Sequence, residues 1–296
     1  MSVSVARRAP ISETIADLMS TAESRLGSNS PALDTQVLLA HALSRPRTWL
    51  LARPEYVPSP KEAQTFLGLL ERAAVGEPIP YLIGAREFYG LDFIVTPAVL
   101  IPRPETELLV ERGLAWLHCR KSTVSNRQSA AMFVADVGTG SGCIAVALAR
   151  LASNARIVAT DISSEALEVA RANTRRHEVA DRIEFLQGDL LEPLPEPVNL
   201  IGANLPYVPT PSFDSLQVAR SEPRLALDGG PDGLTLIRRL LARAPTKLAP
   251  HGALLLEIEA RQGAKALDLA RAAFPAAQVR LQRDLAGLDR LLEIQT

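Results

Sequence analysis

DVGTGSG (136–142) is a glycine-rich turn between the apolar run MFVAD and an apolar segment with the pattern of a helix. Glycines let the backbone turn tightly and allow a ligand to lie directly on the N–H groups at a helix start. A dinucleotide fingerprint, G-x-G-x-x-G, would need glycine where this chain has Cys143. The observed G-x-G-x-G order suits the amino-acid and ribose end of a ligand better than a pyrophosphate. The candidate ligand-binding residues of the turn are Gly138, Thr139, Gly140, Ser141 and Gly142.

Strand and helix patterns alternate from Met132 to the end of the sequence. Such alternation predicts a mostly parallel sheet covered by helices on both faces. The last two strand patterns have no helix between them, so we expect an antiparallel hairpin at one edge of the sheet. The strand patterns are MFVAD, ARIVATD, RIEFLQGD, VNLIGAN, ALLLEIE, QVRLQRD and RLLEIQT, with helix patterns over 163–177, 233–248 and 261–273.

Acidic residues end the two strands that follow the glycine-rich turn. Asp161 ends ARIVATD, where open α/β sheets place a carboxylate that accepts both ribose hydroxyl protons. Asp161 could also serve as the N-cap of the helix that begins near Ser163, and the two roles are compatible. Asp189 closes the next strand at the same edge, where its loop could border an adenine. A glycine turn alone also fits a plain strand-to-helix connection, but with these acids it predicts a nucleoside ligand.

The fourth strand runs into the turn Asn204-Leu205-Pro206-Tyr207. An amide or exocyclic amino nitrogen is a poor nucleophile because its lone pair is delocalised. Acceptors for its two N–H bonds would orient such a nitrogen toward an electrophilic methyl group, and positioning supplies much of the rate. The side-chain oxygen of Asn204 and the backbone carbonyl of Leu205 are candidates for those acceptors. No strong general base is required, because the proton becomes acidic as the methyl arrives.

The other two residues of this turn also have candidate roles. Pro206 favours an extended Leu205, which helps to aim the carbonyl. Tyr207 is expected to cover one face of a planar substrate group by stacking. In isolation, N-x-P-Y would be only a proline-containing turn that ends a strand. Its position one strand after the acidic residues favours a catalytic role.

The region before the glycine-rich turn predicts two further parts. Residues 1–84 have helical patterns, with Ser12 as a candidate N-cap, and their eight basic residues are matched by eight acidic ones. This balance indicates a small helical domain that docks a partner or stabilises the chain, rather than a nucleic-acid-binding arm. Residues 85–103 predict a β-hairpin linker, and residues 104–296 the main domain. The polar stretch 121–130 predicts a solvated connection.

Composition excludes several classes of protein. The formal net charge is −1, so no global field attracts the chain to nucleic acid or to an anionic membrane. The two cysteines and four histidines lack the spacing of a metal site. No apolar run is long enough to span a membrane, and the N-terminus lacks the pattern of a signal peptide. We therefore expect a cytoplasmic protein without a metal.

Over nearly its whole length the chain resembles the release factor glutamine N5-methyltransferases of the HemK/PrmC type. These are Class I methyltransferases with a Rossmann-like, seven-stranded α/β domain and a small helical N-terminal domain. The segments from positions 78, 99 and 222 are not generic to methyltransferases and therefore carry the resemblance to this subfamily. The matching segments are PIPYLIGAREFYGLDF (78–93), VLIPRPETELLVE (99–111), DVGTGSGCIAVALA (136–149), NLPYVPT (204–210), EPRLALDGGPDGL (222–234) and RDLAGLDR (283–290).

The resemblance implies S-adenosylmethionine as the methyl donor. It implies that the turn 138–142 and Asp161 bind this cofactor, with Leu190 beside the adenine and Asn204 near the reacting methyl. The turn 204–207 would receive the glutamine of the Gly-Gly-Gln tripeptide of class I peptide chain release factors. The family usually has proline where this chain has Leu205. The backbone carbonyl survives that change, with some loss of stiffness in the turn.

Two alternative substrates remain open. A sister family methylates a ribosomal-protein glutamine, but the stretch IPRPETE (101–107) favours the release factors, since the sister family is expected to have serine after the arginine. An adenine N6-methyltransferase would share the turn 204–207 but would need a basic groove. The long segment 208–231, with Glu222, Arg224 and Asp228, is expected to be a lid or a substrate-gripping loop. Arg103 and Glu105 are candidates for shaping the substrate face. For these residues, local salt bridges and turn geometry are an equally open alternative.

Overall fold

The computed structural model describes residues 13–122 and 131–296. Its contacts divide the chain into two compact units, Met1–Gly84 and Ala85–Thr296. The polar stretch at 123–130 and the candidate N-cap Ser12 lie outside the described residues. Within the described residues, no helix is both long and apolar enough to cross a membrane.

The first unit contains five helices in its described part. Its core is formed by apolar side chains that helical spacing places on one face, among them Ile15, Leu38 and Phe66. Helix α1 begins after Thr14, whose hydroxyl accepts from the Asp17 backbone N–H while the Asp17 carboxylate accepts from the Thr14 N–H. The helices are α1 (Ile15–Glu23), α2 (Pro31–Leu43), α3 (Arg47–Leu51), α4 (Pro60–Ala74) and α5 (Ile79–Ile83).

The second unit opens with the hairpin β1 (Ala85–Phe88) and β2 (Leu91–Ile94). Its two-residue turn has positive φ at Tyr89 and Gly90, which matches the twist of an antiparallel pair. Phe88 and Phe93 are buried in the core of this unit, and the Asn173 side chain hydrogen-bonds both backbone groups of Ile94. The segment predicted as a linker is therefore packed into the second unit.

A seven-stranded sheet forms the centre of the second unit, in the order β5-β4-β3-β6-β7-β9-β8. Five neighbouring strands are parallel, while β9 is antiparallel to both β7 and β8. The predicted edge hairpin is therefore confirmed. The strands are β3 (Met132–Val137), β4 (Ala155–Asp161), β5 (Ile183–Gln187), β6 (Val198–Ala203), β7 (Leu248–Glu257), β8 (Gln278–Arg283) and β9 (Asp289–Gln295).

Alternating side chains of this sheet enter two separate cores. Val134 and Leu200 belong to one apolar cluster, while their neighbours Ala135 and Ile201 belong to the other. This follows from the two-residue period of strands, and it requires helices on both faces. The helices of this unit are α6 (Glu107–Ser122), α7 (Cys143–Leu151), α8 (Ser164–Arg176), α9 (Thr235–Lys247) and α10 (Gly263–Ala273).

The strand order reverses at the centre of the sheet, since the chain proceeds from β3 to β4 on one side and later adds β6 on the other. Open α/β sheets bind ligands in the crevice beyond the carboxyl ends of the strands at such a point. The glycine-rich turn follows β3 and the turn from Asn204 follows β6, so the topology brings both to this crevice.

The segment 208–231 folds back on the turn after β6. The N–H of Val208 donates to Leu227 and that of Gly229 to Val208, at 2.9 Å each, and three short 3-10 turns lie within the segment. The Thr210 hydroxyl donates to the Asp228 carboxylate at 2.6 Å. Local hydrogen bonds therefore satisfy much of the backbone of this segment.

Candidate active site

A cavity of about 1030 Å³ lies at the carboxyl ends of the central strands. Most residues that the sequence predicts for the site line it. From the glycine-rich turn and the strand ends these are Gly138, Thr139, Gly140, Ser141, Asp161, Asp189 and Leu190, and from the turn after β6 they are Asn204, Leu205 and Pro206. Gly142 and Tyr207 do not line it. In the described part of the chain no group of His, Cys, Asp and Glu is arranged to hold a metal ion.

The glycine-rich turn needs its glycines for two reasons. Gly138, Gly140 and Gly142 have φ of 72°, 55° and 80°, a left-handed conformation in which side chains are strained. At Gly142 a Cβ would also lie 3.1 Å from the Cβ of Ala170. Gly142 therefore serves the packing of α7 against α8, while the earlier glycines bring bare backbone to the cavity.

Asp161 ties this turn to the next strand. One carboxylate oxygen accepts from the Gly140 N–H and the other from the Ser163 N–H, each at 2.9 Å. The N-cap of α8 is Ser163, whose hydroxyl accepts from Ala166 at 3.1 Å, so the alternative of Asp161 as N-cap is wrong. Burial raises the pKa of Asp161 above its ordinary value. A half-buried carboxylate on the cavity wall is suited to accept further hydrogen bonds from a ligand's hydroxyl groups.

Asp136 is a buried acid for which the sequence offered no role. Its Oδ2 accepts from the Thr139 hydroxyl at 2.6 Å and from the Ala145 N–H at 3.2 Å. Its Oδ1 has no hydrogen-bond partner among the described residues. Burial raises the pKa of Asp136 to about 6. Asp136 does not line the cavity, and its hydrogen bonds hold the turn to the start of α7.

Asp189 and Leu190, which were predicted to lie beside an adenine, line the cavity. Asp189 forms an ion pair with Arg239, which also lines the cavity. Leu190 has φ of 51°, and its carbonyl accepts from the Thr160 hydroxyl at 2.9 Å. A leucine held in the left-handed region is strained, which is typical of residues whose position is set by a site.

Cys143, at the start of α7, has a buried thiol. Burial raises its pKa to about 12, so the thiol is protonated at neutral pH. It is therefore not a nucleophile in this site.

Asn204 is half-buried just after β6, and a hydrogen bond to Thr106 sets the orientation of its side-chain amide. Its Nδ2 donates to the hydroxyl of Thr106 at 3.0 Å, which leaves Oδ1 as the end that can accept. Thr106 belongs to the stretch IPRPETE, where the sequence gave no role to the threonine. Arg103 of the same stretch lines the cavity, whereas Glu105 is exposed outside it.

The side chains of Leu205 and Tyr207 contact different parts of the protein. Leu205 is buried, and its Cδ2 would be 3.2 Å from a Cβ at Gly138, so the leucine packs the two turns together. Tyr207 does not line the cavity, although its ring was expected to stack on a substrate there. Its hydroxyl donates to Glu257 at 3.4 Å, and its carbonyl accepts from Gln262 at 3.0 Å. A half-buried phenol needs such a partner.

Glu257 is the last residue of β7 and is only 1% exposed. Burial raises its pKa to about 7, although hydrogen bonding from Thr106 and Tyr207 and the charge of Arg290 act in the opposite direction. The sequence analysis missed this acid. Its signal was the same as for Asp161, namely a carboxylate at the end of an apolar strand.

Glu222 fastens the segment 208–231 to the region before α6. Its carboxylate is buried, accepts from the Ile101 N–H at 3.0 Å and pairs with Arg103. Arg224 pairs with Asp228 at 3.1 Å, and both line the cavity. The segment therefore borders the cavity, and its charged residues form ion pairs, as the alternative of local salt bridges predicted.

Two family models match the chain. One describes the PrmC N-terminal domain and matches residues 17–84, and the other describes a methyltransferase domain and matches residues 128–241. Among curated proteins, a release factor glutamine methyltransferase of Moorella thermoacetica is 46% identical over 89% of this chain and 91% of that protein. A second, from Nitratidesulfovibrio vulgaris, is 39% identical over 94% of both chains.

Solved structures show the same fold at low sequence identity. A methyltransferase of Pyrococcus furiosus superposes with a TM-score of 0.50 at 15% identity, over 70% of this chain and 90% of that one.

Proposed function

The chain belongs to the release factor glutamine methyltransferases, a family that uses S-adenosylmethionine, and from that premise we propose that its substrate is the Gly-Gly-Gln glutamine of class I peptide chain release factors. The product would carry the methyl group on the side-chain amide nitrogen, N5. Since release factors act in translation, the proposal also gives the enzyme a cytoplasmic location.

The observation that carries this proposal is the orientation of Asn204 on the cavity wall. Its Nδ2 is engaged by Thr106 at 3.0 Å, so its Oδ1 is the group available to a substrate. A side-chain amide has two N–H donors on one planar nitrogen. Acceptors from Asn204 and from the Leu205 backbone match those two donors, whereas a lysine or a hydroxyl substrate would not need this pair.

Features of the cavity fit S-adenosylmethionine. The bare backbone at Gly138 and Gly140 suits the amino-acid end of the ligand. The carboxylate of Asp161 would accept from the ribose hydroxyls. The wall around Leu190 would contact the adenine. The cavity volume of about 1030 Å³ is large enough for this ligand together with an amide side chain.

Each residue of the turn after β6 has a simple task in the reaction. S-adenosylmethionine supplies an electrophilic methyl group when bound. Asn204 Oδ1 and the Leu205 carbonyl accept the two amide N–H bonds and thereby hold the glutamine nitrogen in one orientation. As the new N–C bond forms, the bond from the methyl carbon to the donor's sulfur would break, which leaves a neutral thioether. The amide proton becomes acidic and leaves to solvent, so that the product is a neutral N-methyl amide. The residues need only position the nitrogen, and no strong base is needed.

The helical unit has a separate role in this proposal. Its basic and acidic residues are balanced, and it matches the model of the PrmC N-terminal domain over residues 17–84. We assign to it the recognition of the release factor outside the tripeptide. Removing it should raise the KM for the protein substrate far more than the KM for a short Gly-Gly-Gln peptide.

Incubation with methyl-labelled S-adenosylmethionine tests the substrate directly. We expect label on a class I release factor and none when the tripeptide glutamine is replaced by alanine. Ribosomal proteins and nucleic acid serve as the competing substrates in parallel reactions. Label on a ribosomal-protein glutamine, or on adenine, with none on the release factor would overturn the proposal.

A further inference from the structure

We propose that the turn between β8 and β9, residues 284–288, is a docking surface for the protein substrate beside its reacting glutamine. This turn is called the hairpin tip below. Its two leucines, Leu285 and Leu288, would pack against an apolar patch of the class I release factor, next to the Gly-Gly-Gln tripeptide. The inference rests on the proposed function, which names that factor as the substrate.

Both leucines of the hairpin tip are exposed, although tight turns usually consist of glycine and small polar residues. Leu285 is fully exposed and Leu288 is 49% exposed. A single exposed apolar side chain is common on protein surfaces and needs no explanation. Two of them within four residues of one turn form a small apolar surface, and such a surface favours contact with another protein.

The backbone of the hairpin tip is held in place without help from the leucine side chains. The Asp284 carboxylate accepts from the N–H groups of Ala286 and Leu288 at 3.0 Å each, and the Arg290 guanidinium donates to it at 3.2 Å. Gly287 has φ of 77°, which glycine adopts without strain. The fold of the turn therefore depends on Asp284 and Gly287. A turn that is already ordered loses little conformational entropy when it binds a partner.

The sheet places the hairpin tip at the same edge as Asn204. Strands β6 and β7 run side by side with Ala203 opposite Leu256, and β9 pairs with β7 with Leu291 opposite Glu257. Since neighbouring strands are about 4.8 Å apart, β9 lies about 10 Å from the strand that ends before Asn204. Because β9 is antiparallel to β7, the hairpin tip that precedes it extends beyond the carboxyl edge of the sheet.

Arg290 connects the base of the hairpin to the turn after β6. Its guanidinium pairs with Asp284, and its carbonyl accepts from the Ile258 N–H at 2.9 Å. Burial raises the pKa of both Tyr207 and Glu257, and the charge of Arg290 opposes that rise in both. Arg290 is therefore close to the turn that would receive the glutamine. The surface of a protein whose glutamine enters that turn comes within reach of the hairpin tip.

The charges beside the two leucines are paired within the hairpin. Asp284 pairs with Arg290 and Asp289 with Arg283, at 3.2 Å each. The hairpin tip thus presents an apolar surface without an unpaired positive charge, which suits a protein partner better than nucleic acid. Strand β8 is the last strand of the sheet on this side, so a second copy of this chain is the competing occupant.

Alanine substitutions in the full chain test the proposal. Leu285→Ala and Leu288→Ala should each raise the Kd of the complex with a class I release factor by about 10-fold, which is the effect expected from losing most of one buried leucine side chain. The KM should rise with the Kd, and kcat should stay within about twofold. The matched control is Leu151→Ala, since Leu151 is 47% exposed at the end of α7, at the opposite edge of the sheet. Its Kd should change by less than twofold.

The measurements separate docking from folding and from substrate identity. The Tm of Leu285→Ala should be unchanged, because its side chain is fully exposed, and the Kd for S-adenosylhomocysteine should stay within twofold in every variant. A release factor that is methylated with the same KM by both hairpin-tip variants would overturn this inference alone. A release factor that the unmutated enzyme does not methylate would overturn the proposed function together with it. A dimer of the unmutated enzyme in sedimentation that Leu285→Asp dissociates would show that a second copy occupies the surface, and would also overturn the inference.

Discussion

Replacing Asn204 by alanine should separate catalysis from cofactor binding. The variant loses the Nδ2 hydrogen bond to Thr106 at 3.0 Å, which is worth about 0.5–1.5 kcal/mol of stability. A loss of that size lowers the Tm by about 1–6 °C. The variant also loses Oδ1, the acceptor that orients the substrate nitrogen. Removing one positioned hydrogen-bonding group from an active site costs about 10²- to 10³-fold in kcat, and we expect that loss here.

The matched control for this variant is Asn199→Ala. Asn199 lies on the same strand, β6, and its Oδ1 accepts from the Phe133 N–H at 2.8 Å at the end remote from the cavity. It should lower the Tm by a similar amount and leave kcat within about threefold. Steady-state methylation of a release factor gives kcat, and calorimetry gives the Kd for S-adenosylhomocysteine, which should be nearly unchanged in both variants. Equal kcat values for the two variants would refute the orienting role of Asn204.

Two further predictions concern the acids of the cofactor side. Asp161→Asn should weaken S-adenosylhomocysteine binding by about 10- to 100-fold, because it removes the charge that accepts from Gly140 and from a ribose, and a Kd within twofold in calorimetry would contradict this. For Asp136, burial raises the pKa to about 6, so the folded state holds the proton more tightly than the unfolded state and this group makes the protein more stable as the pH falls from about 7 to about 4. Asp136→Asn, which still accepts from Thr139, should raise the free energy of unfolding at pH 7.5 by about 1–3 kcal/mol and remove that part of the pH dependence. Urea unfolding at pH 7.5 and 5.5 measures both quantities, and identical pH dependence in the two proteins would show that Asp136 is not the group responsible.

The local pattern of the sequence was enough to predict the architecture and the residues of the glycine-rich turn and strand ends that line the cavity. The two-residue and helical periods predict the alternating strands and helices, and the missing helix before RLLEIQT predicts the antiparallel edge. Glycines and acids at strand ends locate the cavity, because in a parallel sheet every such end meets at one edge. The turn 204–207 is found for the same reason. In these cases the chemistry is carried by residues close in sequence.

The surroundings of Asn204 and the attachment of the segment 208–231 depended on contacts between residues that are distant in sequence. Asn204 and Thr106 are 98 positions apart, and Ile101 and Glu222 are 121 apart. Glu257 becomes a neighbour of Asn204 only because β7 is added beside β6 in the sheet. Periodicity indicates that a residue ends a strand, but it does not give the order of the strands. The sequence by itself therefore determined the fold class and placed the glycine-rich turn and the turn 204–207 at one edge of the sheet. Tertiary structure alone decided which side chains contact Asn204, because hydrogen bonds between strands and loops depend on the order of the strands in the sheet.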